Sequence, residues 1–285
     1  MTVRQIAACL EAHGIGDALW EALLLAEHFT GRSRSLWRAD MDTDIPVPAL
    51  GEAVGKRSTR YPLQYLLGAW EFMGLPFVVR EGCLIPRPDT EILAEAAIEA
   101  ANVVLRTKGS VRVLDLCTGS GCILASVLHY CPAAEGVAVD LYPDALAVAE
   151  ENFTRLGLTN RVTLLQGDVR KDIFPPEEQF DLILSNPPYV TADEMTVLEP
   201  ELAHEPATAL TDGGNGLSLY EAILQNYLSH LTEGGTILFE HGAAQSNAVL
   251  KMGKACGLTG KALYDYSGHK RCAVLRRESF SHQTQ

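Results

Sequence analysis

With 285 residues, 47% of them hydrophobic, the chain is long enough to bury one large core or two smaller ones. Its net charge of −13 lies almost wholly beyond residue 70, since the first 70 residues carry seven Lys/Arg against eight Asp/Glu. That acidity disfavours a protein whose main partner is the phosphate backbone of DNA or RNA, and no apolar run approaches the ~18 residues of a membrane span.

The N-terminal part predicts helices. Val3, Ile6, Ala7 and Leu10 recur at helical spacing, and Asp17 is placed to N-cap a Leu- and Ala-rich helix over Ala18 to Phe29. Further helices are predicted over Ser33 to Ala39 and Pro48 to Arg57, with Pro48 in the first turn. Residues 1–70 thus read as a small helical domain. Aromatic and β-branched residues broken by glycines follow, from Trp70-Glu71-Phe72 to Gly82, and predict a hairpin linker over 71–88. A helix is predicted over Ile92 to Leu105.

From Val111 onward short apolar strands alternate with helical segments, as in a mostly parallel sheet with crossover helices. Strands are predicted at Val111 to Leu116, Gly136 to Asp140, Val162 to Leu165, Asp181 to Leu184 and Thr236 to Glu240. Helices are predicted over Gly121 to Tyr130, Pro143 to Leu156 and Leu217 to Leu231. Ala262 to Tyr266 and Cys272 to Leu275 are too close for a parallel connection, so an antiparallel strand should close the sheet of a second domain spanning 89–285.

The first strand of this series runs into Cys117-Thr118-Gly119-Ser120-Gly121, a small-residue turn that lets a ligand approach the backbone. Asp140 ends the next strand at the spacing where an acid meets ribose hydroxyls in nucleotide folds. The dinucleotide pattern G-x-G-x-x-G is absent, which argues against a dehydrogenase, and Asp115 ahead of the turn suits a cationic ligand better than phosphates. S-adenosylmethionine, with its ammonium and sulfonium, fits; Asp168 ends the third strand, where an adenine would lie.

The fourth strand ends in Asn186-Pro187-Pro188-Tyr189. Two prolines fix φ and remove N–H donors, leaving carbonyls free to accept from a ligand. Asn186 adds a side-chain carbonyl and Tyr189 a flat ring, a combination suited to presenting a planar amide or amine nitrogen to a methyl donor. An ordinary strand-ending turn would use the same residues.

Together with Ile85-Pro86-Arg87-Pro88-Asp89-Thr90-Glu91 and Phe239-Glu240-His241-Gly242, these segments resemble the bacterial peptide chain release factor glutamine methyltransferases, the HemK/PrmC family. Arg60-Tyr61-Pro62-Leu63-Gln64-Tyr65-Leu66-Leu67-Gly68 and Glu205-Pro206-Ala207-Thr208-Ala209-Leu210 extend the resemblance over nearly the whole chain. It implies a class I methyltransferase domain, Rossmann-like, behind a helical domain that helps hold the protein substrate. The implied reaction is N5-methylation of the glutamine in the Gly-Gly-Gln motif of release factors.

Asn186, Pro187 and Tyr189 are then the expected catalytic residues, with Pro188 and Arg87 also facing substrate. Asp115, Cys117, Thr118, Gly119, Ser120, Gly121, Asp140, Asp168, Val169 and Asn186 are the expected cofactor site. Cys117 stands where a glycine is usual; His241 and His204 suggest proton acceptors, and His241 is expected to be a structural or pocket-edge residue. Arg32, Arg34 and Arg38 offer a docking patch. No metal is expected.

Seven cysteines without a C-x-x-C pair, and an N-terminus without a signal-peptide pattern, point to a reducing cytoplasm. A monomer is expected. The competing readings are an adenine-N6 or other amino methyltransferase acting on nucleic acid, which the charge disfavours, and a non-catalytic cofactor-binding scaffold.

Overall fold

Thr2 opens the first helix, α1 (Val3–Ala12), with a reciprocal cap. Its hydroxyl accepts the Gln5 backbone N–H at 3.2 Å, and the Gln5 side chain accepts the Thr2 N–H at 3.0 Å. In the computed structural model, which describes residues 1–278, α2 (Ala18–Thr30), α3 (Arg34–Ala39), α4 (Pro48–Ser58) and α5 (Leu63–Leu67) follow. Val3, Ile6, Leu10, Ala22, Leu25, Trp37 and Leu50 from these helices form one buried core. Asp17 precedes α2 without capping it. At φ −97°, ψ 36° it leaves the extended geometry that lets a cap side chain reach back, so only its carbonyl engages the helix.

The chain forms two compact units. The helical one comprises Met1–Ala69 and, from far along the sequence, Leu198–Glu205. A buried Arg57 holds that remote segment: its guanidinium grips Glu21 at 2.6 and 2.9 Å and donates to Glu201 at 3.0 Å. Arg60 takes the other Glu201 oxygen at 2.9 Å. Arg32 pairs with Asp40 and Arg34 with Glu27.

The larger unit begins with the hairpin of β1 (Ala69–Phe72) and β2 (Leu75–Val78), whose Phe72 and Phe77 enter the same core as the long helix α6 (Glu91–Lys108). Next come β3 (Val111–Leu116), α7 (Cys122–Tyr130), β4 (Ala134–Asp140), α8 (Pro143–Arg155), β5 (Val162–Gln166) and β6 (Phe180–Ser185). After the short α9 (Ala207–Leu210) and α10 (Ser218–Tyr227), the unit ends with β7 (Leu231–Glu240), α11 (Ser246–Ala255), β8 (Thr259–Tyr264) and β9 (Lys270–Arg276). Residues 279–285, the end of the domain expected over 89–285, lie outside the described residues.

The seven strands lie in the order β5-β4-β3-β6-β7-β9-β8; the first five are parallel, and β9 runs antiparallel to both its neighbours. Apolar runs such as Leu182-Ile183-Leu184 are buried on both faces, because two layers of helices cover the sheet. One boundary departs from expectation. The helix predicted to reach Leu231 stops at Tyr227, and after a single tight turn Leu231 already pairs with Phe180. The strand predicted from Thr236 thus begins earlier, and Gly234 and Gly235 lie within β7 beside a register shift.

Strand order reverses direction at β3: β4 and β5 lie to one side and β6 onward to the other, which opens a crevice at the strands' carboxyl ends. Leu116 pairs with Val139 on one flank and Ser185 on the other, so Cys117, Asp140 and Asn186 leave the sheet side by side.

Replacing Arg57 with Ala should destabilise the helical unit by ~3–5 kcal/mol, because Glu21 would stay buried without its partner. Urea unfolding followed by circular dichroism measures this, and a loss below ~1 kcal/mol would show that the ion pair is dispensable.

Candidate active site

A cavity of about 440 Å³ fills the crevice. Its wall brings together Arg87, Cys117, Thr118, Gly119, Ser120, Asp140, Asp168, Val169, Asn186 and Pro188 of the expected residues, with Gly121, Pro187 and Tyr189 next to them in the same loops, whereas Asp115 is buried away from it.

The loop after β3 is tied down by its own backbone. Thr118 N–H donates to Val139 O at 3.0 Å and Gly121 N–H to Thr118 O at 2.8 Å. Gly121 must be glycine: at φ +76° a Cβ would come within 2.9 Å of the Phe153 ring. Asn152 locks the loop from beneath, donating to Ser120 O at 3.0 Å and accepting Val78 N–H at 2.7 Å. A Cβ on Gly119, by contrast, would meet only Cys83 Sγ, itself on the cavity wall, at 3.9 Å. A ligand can therefore reach this backbone closely.

Asp140 is 8% exposed and accepts Gly119 N–H at 2.9 Å on one oxygen and Tyr142 N–H at 3.0 Å on the other. Each oxygen keeps a lone pair for a ligand's hydroxyl groups. Desolvation raises its pKa, opposed by those backbone hydrogen bonds. Asp168 is held differently: Arg170 donates to it from both backbone and side chain, at 3.0 and 2.9 Å, and the guanidinium bond lowers its pKa. Val169, 6% exposed, adds an apolar stretch of wall.

Asp115 departs from the picture of a carboxylate facing a cation. It is fully buried, takes the Thr118 hydroxyl at 2.6 Å on Oδ2, and leaves Oδ1 without a partner among the described residues. Burial pushes its pKa up to about 7, opposed by the Thr118 bond and reinforced by the charge of Asp140. The strand pattern showed the acid but not that its side chain points into the protein.

Cys117 has a left-handed backbone, φ +61°, and burial pushes its thiol well above the usual range, so it presents no ready thiolate. His241 is fully buried, with Nδ1 against Gly242 O at 3.0 Å and a pKa lowered by burial. His204 lies in the helical unit's remote segment and packs edge-on against Tyr61.

The Asn186 to Tyr189 turn is fastened from three sides. Asn186 Nδ2 donates to Thr90 Oγ1 at 3.4 Å, Tyr189 O–H donates to Glu240 Oε1 at 3.1 Å, and Gln245 Nε2 donates to Tyr189 O at 2.9 Å. Gly216 crosses so close that a Cβ there would lie 2.0 Å from Tyr189 O. Burial raises the Glu240 carboxyl to about 7 and pushes the Tyr189 phenol far above its usual range. Sequence reasoning gave no role to Thr90, Glu240, Gln245 or Arg271. Thr90 and Glu240 stand inside quoted motifs, but nothing local reveals that each fastens the turn; nothing singles out Gln245 or Arg271.

Residues 2–68 match the family model described as the PrmC N-terminal domain, and residues 100–230 that of the methyltransferase small domain. The release factor glutamine methyltransferase of Bordetella pertussis is 43% identical over 242 residues, covering 84% of this chain and 87% of that protein. The chain belongs to the release factor glutamine methyltransferase family. Its counterpart in Cereibacter sphaeroides is 39% identical, with 94% of both chains covered. Among solved structures, the hMettl16 catalytic domain in complex with a hairpin shares the fold at 14% identity, with a TM-score of 0.57 over 81% of this chain and 83% of that one.

Two outcomes test this geometry. Changing Cys117 to Gly should alter stability by less than ~1 kcal/mol, since relief of ~1–2 kcal/mol of left-handed strain offsets the lost side chain. Cys117→Val should cost well over ~2 kcal/mol, because a β-branched residue tolerates that φ worst; urea unfolding ranks the pair.

Asp115 binds its proton more tightly when folded, so its contribution to stability is full below 3.8 and is lost as pH rises through about 7. The stability difference between wild type and Asp115→Asn should therefore fall between those values and level off above them. A flat difference would place the carboxyl in a wetter site.

Proposed function

We propose that this cavity binds S-adenosylmethionine beside a glutamine side chain, and that the enzyme methylates N5 of the glutamine in the Gly-Gly-Gln loop of peptide chain release factors. The observation that carries this reading is the placement of Asp140 and Asn186 on one cavity, at the ends of the two strands flanking β3. S-adenosylmethionine supplies an electrophilic methyl group on a sulfonium. Asp140 would hold the ribose hydroxyls, the Cys117 to Gly121 backbone the methionine portion, and Asp168 and Val169 the adenine edge and face. The fit rests on the open approach to Gly119 and the unused lone pairs of Asp140.

An amide nitrogen is a poor nucleophile because its lone pair is delocalised into the carbonyl. Asn186 Oδ1 and the Pro187 backbone carbonyl would accept the two N–H bonds of the substrate amide, fixing its plane and drawing electron density onto nitrogen. Proline at 187 and 188 keeps donors out of this acceptor site. Such positioning is worth ~7 kcal/mol or more when it turns the encounter into an effectively intramolecular one. The Tyr189 ring would pack against the amide and favour the positive charge that develops there. Water or the accepting carbonyls can then take the proton that methylation makes acidic. Arg87 would contact the substrate loop, and the helical unit would help hold the release factor. A cytoplasmic monomer suits such a substrate and the seven free thiols.

Incubation with radiolabelled S-adenosylmethionine and either release factor or nucleic acid should label the protein; label in RNA or DNA would overturn the reading. Asn186→Ala should abolish turnover while cofactor affinity stays within about tenfold, whereas Asp140→Ala should weaken cofactor binding first. Calorimetry separates the two, and an unchanged dissociation constant in Asp140→Ala would remove the ribose role.

A further inference from the structure

Gln245 stands at the N-cap of α11, yet its side chain makes no capping bond to that helix. Short Ser, Thr, Asp or Asn side chains suit that position, because they reach the first backbone N–H groups. The longer amide reaches elsewhere. Its Oε1 accepts the Gly242 N–H at 3.0 Å, while the Gln245 backbone N–H donates to Gly242 O at 2.9 Å, and this reciprocal pair fixes which end of the amide points away. Nε2 then donates to Tyr189 O at 2.9 Å and to Gly216 O at 3.2 Å. All three partners are backbone groups, each of which can play only one part in a hydrogen bond.

The Asn186 to Tyr189 turn needs such an outside donor. Its two prolines carry no N–H, which keeps acceptors free for a substrate but leaves the turn little with which to fasten itself. Tyr189 is caught at both ends: Gln245 holds its carbonyl, and Glu240, at the end of β7, accepts its O–H at 3.1 Å. Gly216 brings in a third segment, since its N–H donates at 3.0 Å to Oδ1 of Asp212 on the cavity wall. Only glycine lets these segments meet, because a Cβ at 216 would lie 2.0 Å from Tyr189 O and 2.6 Å from Gln245 Nε2.

We propose that Gln245 is a positioning residue for methyl transfer: its amide clamps the Tyr189 end of the turn and so holds Asn186 Oδ1 and the Pro187 carbonyl where the substrate nitrogen must meet the methyl group. This rests on the substrate role of the turn given above. With φ fixed at 187 and 188, a displacement of Tyr189 is passed on to Asn186 rather than absorbed between them. The clamp makes no bond to the Cys117 to Gly121 loop, Asp140 or Asp168, so the cofactor's proposed contacts do not depend on it.

The test compares Gln245→Met and Gln245→Glu with wild type for release factor methylation and, by calorimetry, for S-adenosylmethionine binding, at a temperature where circular dichroism shows each folded. Gln245→Met keeps the length but has no donor, and should lower kcat by about tenfold with cofactor affinity within about threefold. Gln245→Glu keeps the shape and the acceptor for Gly242 but turns an oxygen toward two carbonyls, so its kcat should fall further still. Were Gln245 only filling space, both variants would stay near wild type. If Gln245→Glu does not fold, Gln245→Met carries the test. A kcat within about threefold of wild type in Gln245→Met, a milder loss in Gln245→Glu than in Gln245→Met, or cofactor affinity lost in step with kcat would overturn the proposal. Asn186→Ala run alongside separates the failures. If it is inactive while Gln245→Met is normal, only the clamp falls; if it too turns over normally, the substrate role of the turn falls with it.

Discussion

The register of β3 is the constraint on which the rest depends. Leu116 is hydrogen-bonded into the sheet between Val139 and Ser185, so the chain segments leaving three adjacent strands emerge at one level. A shift of one residue in either pairing would turn Asp140 or Asn186 to the opposite face and empty the cavity wall. The register is strongly specified because the strands are buried on both faces by two separate apolar clusters. Packing energy accumulated over the whole sheet is thus what holds a few polar atoms in place. The Ser185 hydroxyl, donating to Leu116 O at 2.7 Å, adds a polar tie across the same step.

The site differs from the core around it in how its polar groups are satisfied. Buried polar atoms ordinarily find partners, and losing one costs ~1–3 kcal/mol. Asp115 Oδ1, Glu240 Oε2 and His241 Nε2 lack partners among the described residues, and all three belong to segments that carry or support the cavity wall. The two acids among them have pKa values near 7 because burial outweighs the hydrogen bonds each receives. Stability is given up at this edge of the sheet to keep a dry, directional environment around the cavity, as expected where electrostatics rather than packing does the work.

The chain also folds back on its own order. Leu198–Glu205, which follows the Asn186 to Tyr189 turn, belongs to the helical unit, held by Arg57 and Arg60 through Glu201. The next residues, Pro206 to Ala209, line the cavity. The Asn186 turn and the cavity-lining Pro206 to Ala209 are thus joined in sequence through a stretch that belongs to the helical unit.

Much of this was legible in the residues themselves. Apolar runs alternating with helical periodicity dictate a parallel sheet, the short link between the last two strands dictates an antiparallel partner, and the prolines of the Asn186 turn dictate a surface of free acceptors. These are local consequences of backbone geometry and need no partner. What only the tertiary structure decided is direction and pairing across distance. Asp115 looks like a ligand in the strand pattern, yet it is fully buried and takes the hydroxyl of Thr118. Arg57, ordinary in a helix, becomes buried because Glu21 and Glu201 converge on it from 36 positions before and 144 after. Asn186 reaches Thr90, 96 residues earlier, and Tyr189 reaches Glu240, 51 residues later, because β6 and β7 are neighbours in the sheet and the start of α6 packs beside their ends. Hydrogen bonds between such distant residues leave no periodic trace in a sequence, since their spacing is set by the topology of the fold and not by the pitch of any helix or strand.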